Sequence, residues 1–220
     1  MNQSTKTFGA RSFKKFCALD GSQYIASRYA LQRVLQLIKV FKTSSVLEVG
    51  LGIGSFADTI LNYSLSRGIK LKYAGTEKNE FCLSALKKNV SAYTSLKIFN
   101  TLEDVKTQHL FDLILIDGYD ESLVHLNKII GKKGILFIEG DRSGQRKIIR
   151  SIFPKALFVD VISLKKNRRY LNKDQKALFY EGGGEIIFTN PDFKMKLFWF
   201  IEKIKTFIKR KIRQFLKRIN

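Results

Sequence analysis

The chain has 220 residues, with 40 Lys and Arg against 19 Asp and Glu, a formal charge of +21. This length suits one α/β domain with a real core, and no uncharged run is long enough to span a bilayer. The basic excess points to anionic partners (nucleic acid, an acidic membrane surface or a phosphorylated substrate) and gathers at the ends, net +7 over residues 1–45 and net +8 over 192–220. Cys17 and Cys82 stand far apart without metal-type neighbours and read as reduced thiols. The first residues lack the apolar stretch of a secretory signal, so the expected location is the cytoplasm.

In chain order, residues 1–19 are basic with interleaved Phe8, Phe13 and Phe16, and read as an arm or a short helix. An N-cap at Ser22 precedes Tyr24, Ile25, Leu31, Val34, Leu35 and Ile38 at helical spacing. Val46-Leu47-Glu48-Val49 is an apolar run suited to a buried parallel strand, and Gly50, Gly52 and Gly54 lead from it into a helix over 56–66. A strand that ends in glycines and opens a helix is a nucleotide-binding turn, because glycine permits close backbone approach and the helix start offers free N–H groups. A dinucleotide turn reads G-x-G-x-x-G/A, whereas here Ser55 fills the last position and Glu48 would repel a pyrophosphate. A ligand with a positive end fits better.

Leu71–Thr76 reads as a second strand that ends in Glu77, a carboxylate placed to accept from both hydroxyls of an adenosine ribose or to cap the helix that follows. Leu96–Phe99 is a short third strand. Phe111-Asp112-Leu113-Ile114-Leu115-Ile116 is a fourth, delivering Asp117 to the carboxyl edge where open α/β sheets bind ligands. Residues 121–130 read as a helix capped by Gly131, and Ile135–Glu139 as a fifth strand followed by Gly140-Asp141-Arg142. A helix over 143–153, a strand over 156–163, a basic connection over 165–184 (Lys165, Lys166, Arg168, Arg169, with Tyr170) and a strand over 185–189 complete a core ending near Pro191.

Glu48 to Gly54 resembles the first motif of the class I S-adenosylmethionine-dependent methyltransferases, and Phe111 to Gly118 resembles the fourth-strand pattern of many small-molecule O-methyltransferases. The resemblance covers Tyr24 to Asn190 and implies a Rossmann-like seven-stranded sheet, mostly parallel with the last strand antiparallel, and helices on both faces. It implies S-adenosylmethionine as cofactor, held by Glu48, Gly50, Gly52, Gly54, Glu77, Asn100 and Asp117. In catechol-type relatives, carboxylates at the ends of the fourth and fifth strands hold a divalent cation, a role open to Asp117, Glu139 and Asp141. No Asp-Asn pair follows the fifth strand here, and the alternative is a metal-free site with Asp117 as base. His125 is a second catalytic candidate, near the ligand edge, while His109 precedes the fourth strand at the wrong edge. Arg142, Arg146 and Tyr119 are placed on the acceptor side, where two guanidinium groups would favour an anionic, glycan-like or other small acceptor.

Residues 192–220 carry apolar side chains at helical spacing with lysines and arginines opposite, the pattern of an interfacial membrane helix with Trp199, Phe200, Phe207 and Phe215 as anchors. The expected organisation is therefore a basic N-terminal arm (1–19), a methyltransferase domain (20–191) and a basic amphipathic helix (192–220) that holds the enzyme to the inner face of the cytoplasmic membrane. The competing expectation packs that helix on its own domain or on a second subunit in a homodimer. An RNA methyltransferase is suggested by charge alone and finds no N-P-P-Y motif or RNA-binding module; a non-catalytic adaptor that keeps the fold is the rival outside the enzymes.

Overall fold

A computed structural model describes residues 3–105, 110–166 and 180–219; His109, Arg168, Arg169 and Tyr170 lie outside the described residues. The chain runs α1 (Gln3–Cys17), α2 (Arg28–Phe41), β1 (Ser45–Val49), α3 (Ser55–Ser66), β2 (Lys72–Thr76), α4 (Glu80–Asn89), β3 (Leu96–Phe99), β4 (Phe111–Ile116), β5 (Ile130–Glu139), α5 (Ser143–Ile152), β6 (Leu157–Ile162), β7 (Gly183–Phe188) and α6 (Phe193–Ile219). The seven strands form one sheet in the order β3-β2-β1-β4-β5-β7-β6. All are parallel except β7, which pairs antiparallel with both β5 and β6.

Central strands covered on both faces need apolar side chains throughout, which β1, β4 and β5 supply. Val46, Leu113, Leu115 and Phe137 point to the layer holding Leu31, Val34 and Leu35 of α2 with Phe56 and Ile60 of α3. The alternate residues Leu47, Val49, Ile114, Ile116, Leu136 and Ile138 face the other layer, with Leu123, Leu126 and Ile149.

Three local expectations change. The helix expected from Ser22 starts at Arg28, with Ser27 as its N-cap accepting from Ala30 N–H, because the preceding segment is drawn over the glycine turn where Ala26 N–H donates to Ser55 Oγ at 2.8 Å. The helix expected over 121–130 is a 3-10 segment, Glu121–Lys128. Gly131 does not cap it but lies within β5, which begins one residue earlier with Ile130 paired to Phe111. Of the two expectations for residues 1–19, an arm or a short helix, the helix is the one that forms, over Gln3–Cys17, and it packs on the domain. Phe16 is fully buried, Phe8 meets Tyr63 edge to face at 5.5 Å, and Lys15 Nζ reaches the buried Asp58 at 2.7 Å.

The C-terminal helix forms, but its orientation is inverted. Its polar side faces the domain: Trp199 Nε1–H donates to Phe158 O at 2.8 Å, Thr206 Oγ1–H to Asp160 O at 2.6 Å, Lys209 Nζ to Ile162 O at 2.9 Å and Arg213 Nε–H to Ser163 O at 3.0 Å. Those carbonyls belong to the outer side of β6 and the residue after it, where no neighbouring strand is available to donate. Met195 is buried below the first turn, and Glu202, almost wholly buried, accepts from Arg33 of α2 at 2.6 Å. Trp199 therefore serves the docking and is not an outward anchor.

Glu202→Ala should lower stability by about 3 kcal/mol in urea denaturation, because it leaves the Arg33 guanidinium buried without its carboxylate. Arg33→Met added to it should recover most of the loss. A chain ending at Asn190 should melt below the full-length protein, and an unchanged Tm would contradict this docking.

Candidate active site

At the carboxyl edge of the sheet, two cavities of about 580 and 350 Å³ lie on either side of the point where Gly50 meets Gly118. The larger is lined by Tyr24, Gly52, Asp117, Glu139, Asp141 and Arg142, the smaller by Asn100, Thr101, Glu103, Tyr119 and Ser122, and Glu77 borders both. Glycine is required at the junction. Gly50 has φ +86 and a Cβ there would stand 2.6 Å from Gly118 Cα, while a Cβ on Gly52, at φ +53, would stand 2.5 Å from Tyr24 O. Gly54 starts α3 and packs against Leu86 and Val90, away from either cavity.

Glu77 is fixed by three backbone donors: Gly52 N–H at 2.8 Å, and Lys78 N–H and Asn79 N–H at 2.9 Å each. The carboxylate is thereby oriented across the glycine turn with lone pairs to spare. The helix-cap role falls to Asn79, which accepts from Cys82 N–H. Asn100 lines the smaller cavity, on the side expected for an adenine. Glu48 lines neither; it is buried beneath the turn, where Tyr73 Oη–H donates to it at 2.5 Å, and burial holds its carboxyl far above the usual range.

Asp117, Glu139 and Arg142 form the floor of the larger cavity. Arg142 donates to the Asp117 carboxylate at 2.8 Å, to Asp117 O, and through Nε to Glu139 O at 2.9 Å. Burial pushes the Asp117 carboxyl up to about 6 against the pull of Arg142. Glu139 is raised well above its ordinary value, first by burial and then by the charge of Asp117. Its Oε1 accepts from Ser27 N–H at 2.7 Å, whereas its buried Oε2 accepts from no described donor, which fits a carboxyl that retains its proton. Burial thus favours the protonated form of Glu139, while Asp117 is the carboxyl that pairs with Arg142.

This arrangement does not fit a divalent cation. A guanidinium already occupies the position beside Asp117, and among the described residues no group of three His, Cys, Asp or Glu side chains converges. The other acceptor-side candidates disperse. His125 is exposed on the 3-10 segment and lines neither cavity. Tyr119 borders the smaller cavity instead of Arg142. Arg146 is drawn towards Asp160, at 3.4 Å, and Gly140 O, so only Arg142 of the two arginines faces the site. Sequence reasoning missed Gln23, Tyr24 and Ser27 as site residues by placing the first two inside a helix; Asp20-Gly21-Ser22 is the turn signal that marks the segment as a loop.

No protein-family model and no curated protein matches the chain by sequence. Solved structures do match. An O-methyltransferase from Bacillus cereus in complex with SAH superposes with a TM-score of 0.53 at 13% identity, over 86% of this chain and 92% of that one. The fold is that of the S-adenosylmethionine-dependent O-methyltransferases. The O-methyltransferase TomG from Streptomyces achromogenes, in complex with SAM, gives 0.53 at 10% identity over 86% and 91%. The SAH-bound methyltransferase PaMTH1 from Podospora anserina gives 0.52 at 13% over 84% and 88%. In this methyltransferase fold the two cavities lie where the glycine turn and the ends of β2 and β4 converge.

The raised carboxyls carry a signed consequence. A native state that binds a proton more tightly than the unfolded chain loses stability as pH rises through the interval between the two pKa values. Glu139 and Asp117 should therefore cost stability progressively from about pH 4 towards neutrality. Glu139→Gln keeps an acceptor for Ser27 N–H and removes one ionisation, so its Tm should fall less than that of the wild type between pH 5 and pH 8, as read by calorimetry.

Proposed function

We propose that the protein is an S-adenosylmethionine-dependent methyltransferase that O-methylates a small or glycan-like hydroxyl acceptor in the larger cavity. The observation that carries this reading is Glu77, locked by three N–H donors at the lip of a glycine turn and bordering both cavities. A carboxylate so held accepts from vicinal ribose hydroxyls, with Asn100 beyond it on the adenine side. Acidic groups at the larger cavity (Glu77, Asp117 and Asp141) favour a ligand with a sulfonium and an ammonium. When bound, S-adenosylmethionine supplies an electrophilic methyl carbon.

The chain's own groups position and deprotonate the acceptor. Asp117, with a pKa near 6, is charged at neutral pH and basic enough to take the hydroxyl proton at its carboxylate. As that proton arrives, the Arg142 guanidinium, 2.8 Å away, is released from full pairing and offsets charge on the acceptor oxygen. Gln23, Tyr24 and Ile25, from the segment before α2, line the cavity. A polyanion is a poor fit to this mouth, which weighs against RNA, and the loss of Arg146 from the site weighs against a strongly anionic acceptor.

Calorimetric titration with S-adenosylhomocysteine separates an enzyme from an adaptor, which should show no heat of binding. Glu77→Ala should weaken that binding at least tenfold, since each hydrogen bond to a charged acceptor is worth about 1.5–3 kcal/mol. Asp117→Asn should leave the affinity within about twofold and collapse turnover, while wild-type turnover rises with pH through a midpoint near 6. An Asp117→Asn enzyme of full activity would rule out the proposed base.

A further inference from the structure

The docking of α6 leaves an unusual surface behind. Trp199, Glu202, Thr206, Lys209 and Arg213 are turned towards the domain, together with Met195 and Phe198 near the start of the helix, and the other apolar residues from Phe193 to Phe215 are turned away from it. Phe193, Phe207 and Phe215 are 81%, 61% and 63% exposed, and Leu197, Phe200, Ile201, Ile204 and Ile208 are two-fifths exposed or more. Their spacing keeps them on one side of the helix, as a stripe about 33 Å long at 1.5 Å per residue. Monomers in water rarely leave so continuous an apolar strip uncovered.

The charges beside the stripe select the occupant. Lys194 and Lys205 border one margin and Lys196, Lys203 and Arg210 the other, with Lys211 inside the stripe beside Phe207. The helix carries ten basic residues and a single acidic one, Glu202, which pairs with Arg33 and Lys205; Arg210 pairs with Asp160 and Lys194 donates to Val40 O, and Lys196, Lys203 and Lys211 are exposed beside the apolar side chains. A second copy of the chain would bring two such rows of like charge together across the stripe. An anionic lipid surface instead takes the aromatic and aliphatic side chains into its interface and pairs with both lysine rows, whose long stems reach up to the headgroups. Among the described residues no helix is long and apolar enough to cross a membrane, so the helix would lie on the surface. We propose that the outward face of α6 docks the folded protein on an anionic bilayer, with the helix remaining attached to β6.

The test uses the full chain and flotation with vesicles of phosphatidylcholine alone or with about one third phosphatidylglycerol. Binding to the anionic vesicles only, weakened about tenfold or more by half-molar salt, is the expected result. Phe200→Ser, Phe207→Ser and Phe215→Ser together should abolish flotation with Tm unchanged, since these side chains are exposed in the free protein. Lys196→Glu with Lys203→Glu should abolish the preference for anionic vesicles. Equal binding to neutral vesicles, no vesicle binding, or a triple-serine variant that floats like the wild type would each overturn the proposal. So would a stable dimer in sedimentation that the triple-serine variant converts to monomer without any vesicle binding by the wild type, which would give the face to a second copy. Cofactor titration of the same variants should be unaffected, so failure here leaves the methyltransferase reading standing.

Discussion

Asp117 N–H and Gly118 N–H both donate to Val49 O, at 3.0 and 2.6 Å, and this shared acceptor draws the ends of β1 and β4 together until only glycine fits at positions 50 and 118. The pinch separates the two cavities. It sends the Asp117 side chain into one and Tyr119 to the rim of the other, so that one tight backbone contact assigns a face to each. Glu77 then borders both because β2 pairs directly with β1, their last residues Thr76 and Val49 in register, and Glu77 follows at once.

The larger cavity is held by a chain of dependence. Ser27 caps α2 with its hydroxyl and binds Glu139 with its N–H, so the helix start and the end of β5 are positioned together. Arg142 spans from the Glu139 carbonyl to Asp117 and so links the ends of β5 and β4. Burial raises both neighbouring carboxyls, and Asp117 alone has the Arg142 guanidinium 2.8 Å from its carboxylate to draw it back. The balance of burial against that guanidinium sets Asp117 at about 6.

Much of this was legible in the residues. The apolar run of β4 ending in Asp-Gly, the glycine turn after β1 and the acidic end of β2 each signal their place locally, because strand burial and turn conformation act over a few residues. What was not legible depends on distant partners. Ser27 and Glu139 are 112 positions apart, and nothing near Arg146 in sequence announces that Asp160 will claim it. The start of α2 was misplaced because Tyr24 and Ile25 keep helical spacing, while the competing bond from Ala26 to Ser55 lies in another element. For α6 the periodicity showed two faces but not which one turns inward. The unpaired carbonyls of β6 decide that, since they require donors and an apolar face has none.

The same bonds limit how the sheet can grow. An edge strand normally offers its bare carbonyls and N–H groups as a template for another strand, and proteins must blunt such edges to avoid sticking together. At one border of this sheet, α6 spends indole, hydroxyl, ammonium and guanidinium groups on the acceptors of β6, so no incoming strand finds them vacant. At the other border, β3 is only four residues long. Among the described residues the sheet ends at seven strands, and the β6 edge is covered by α6 instead of being left open to another strand.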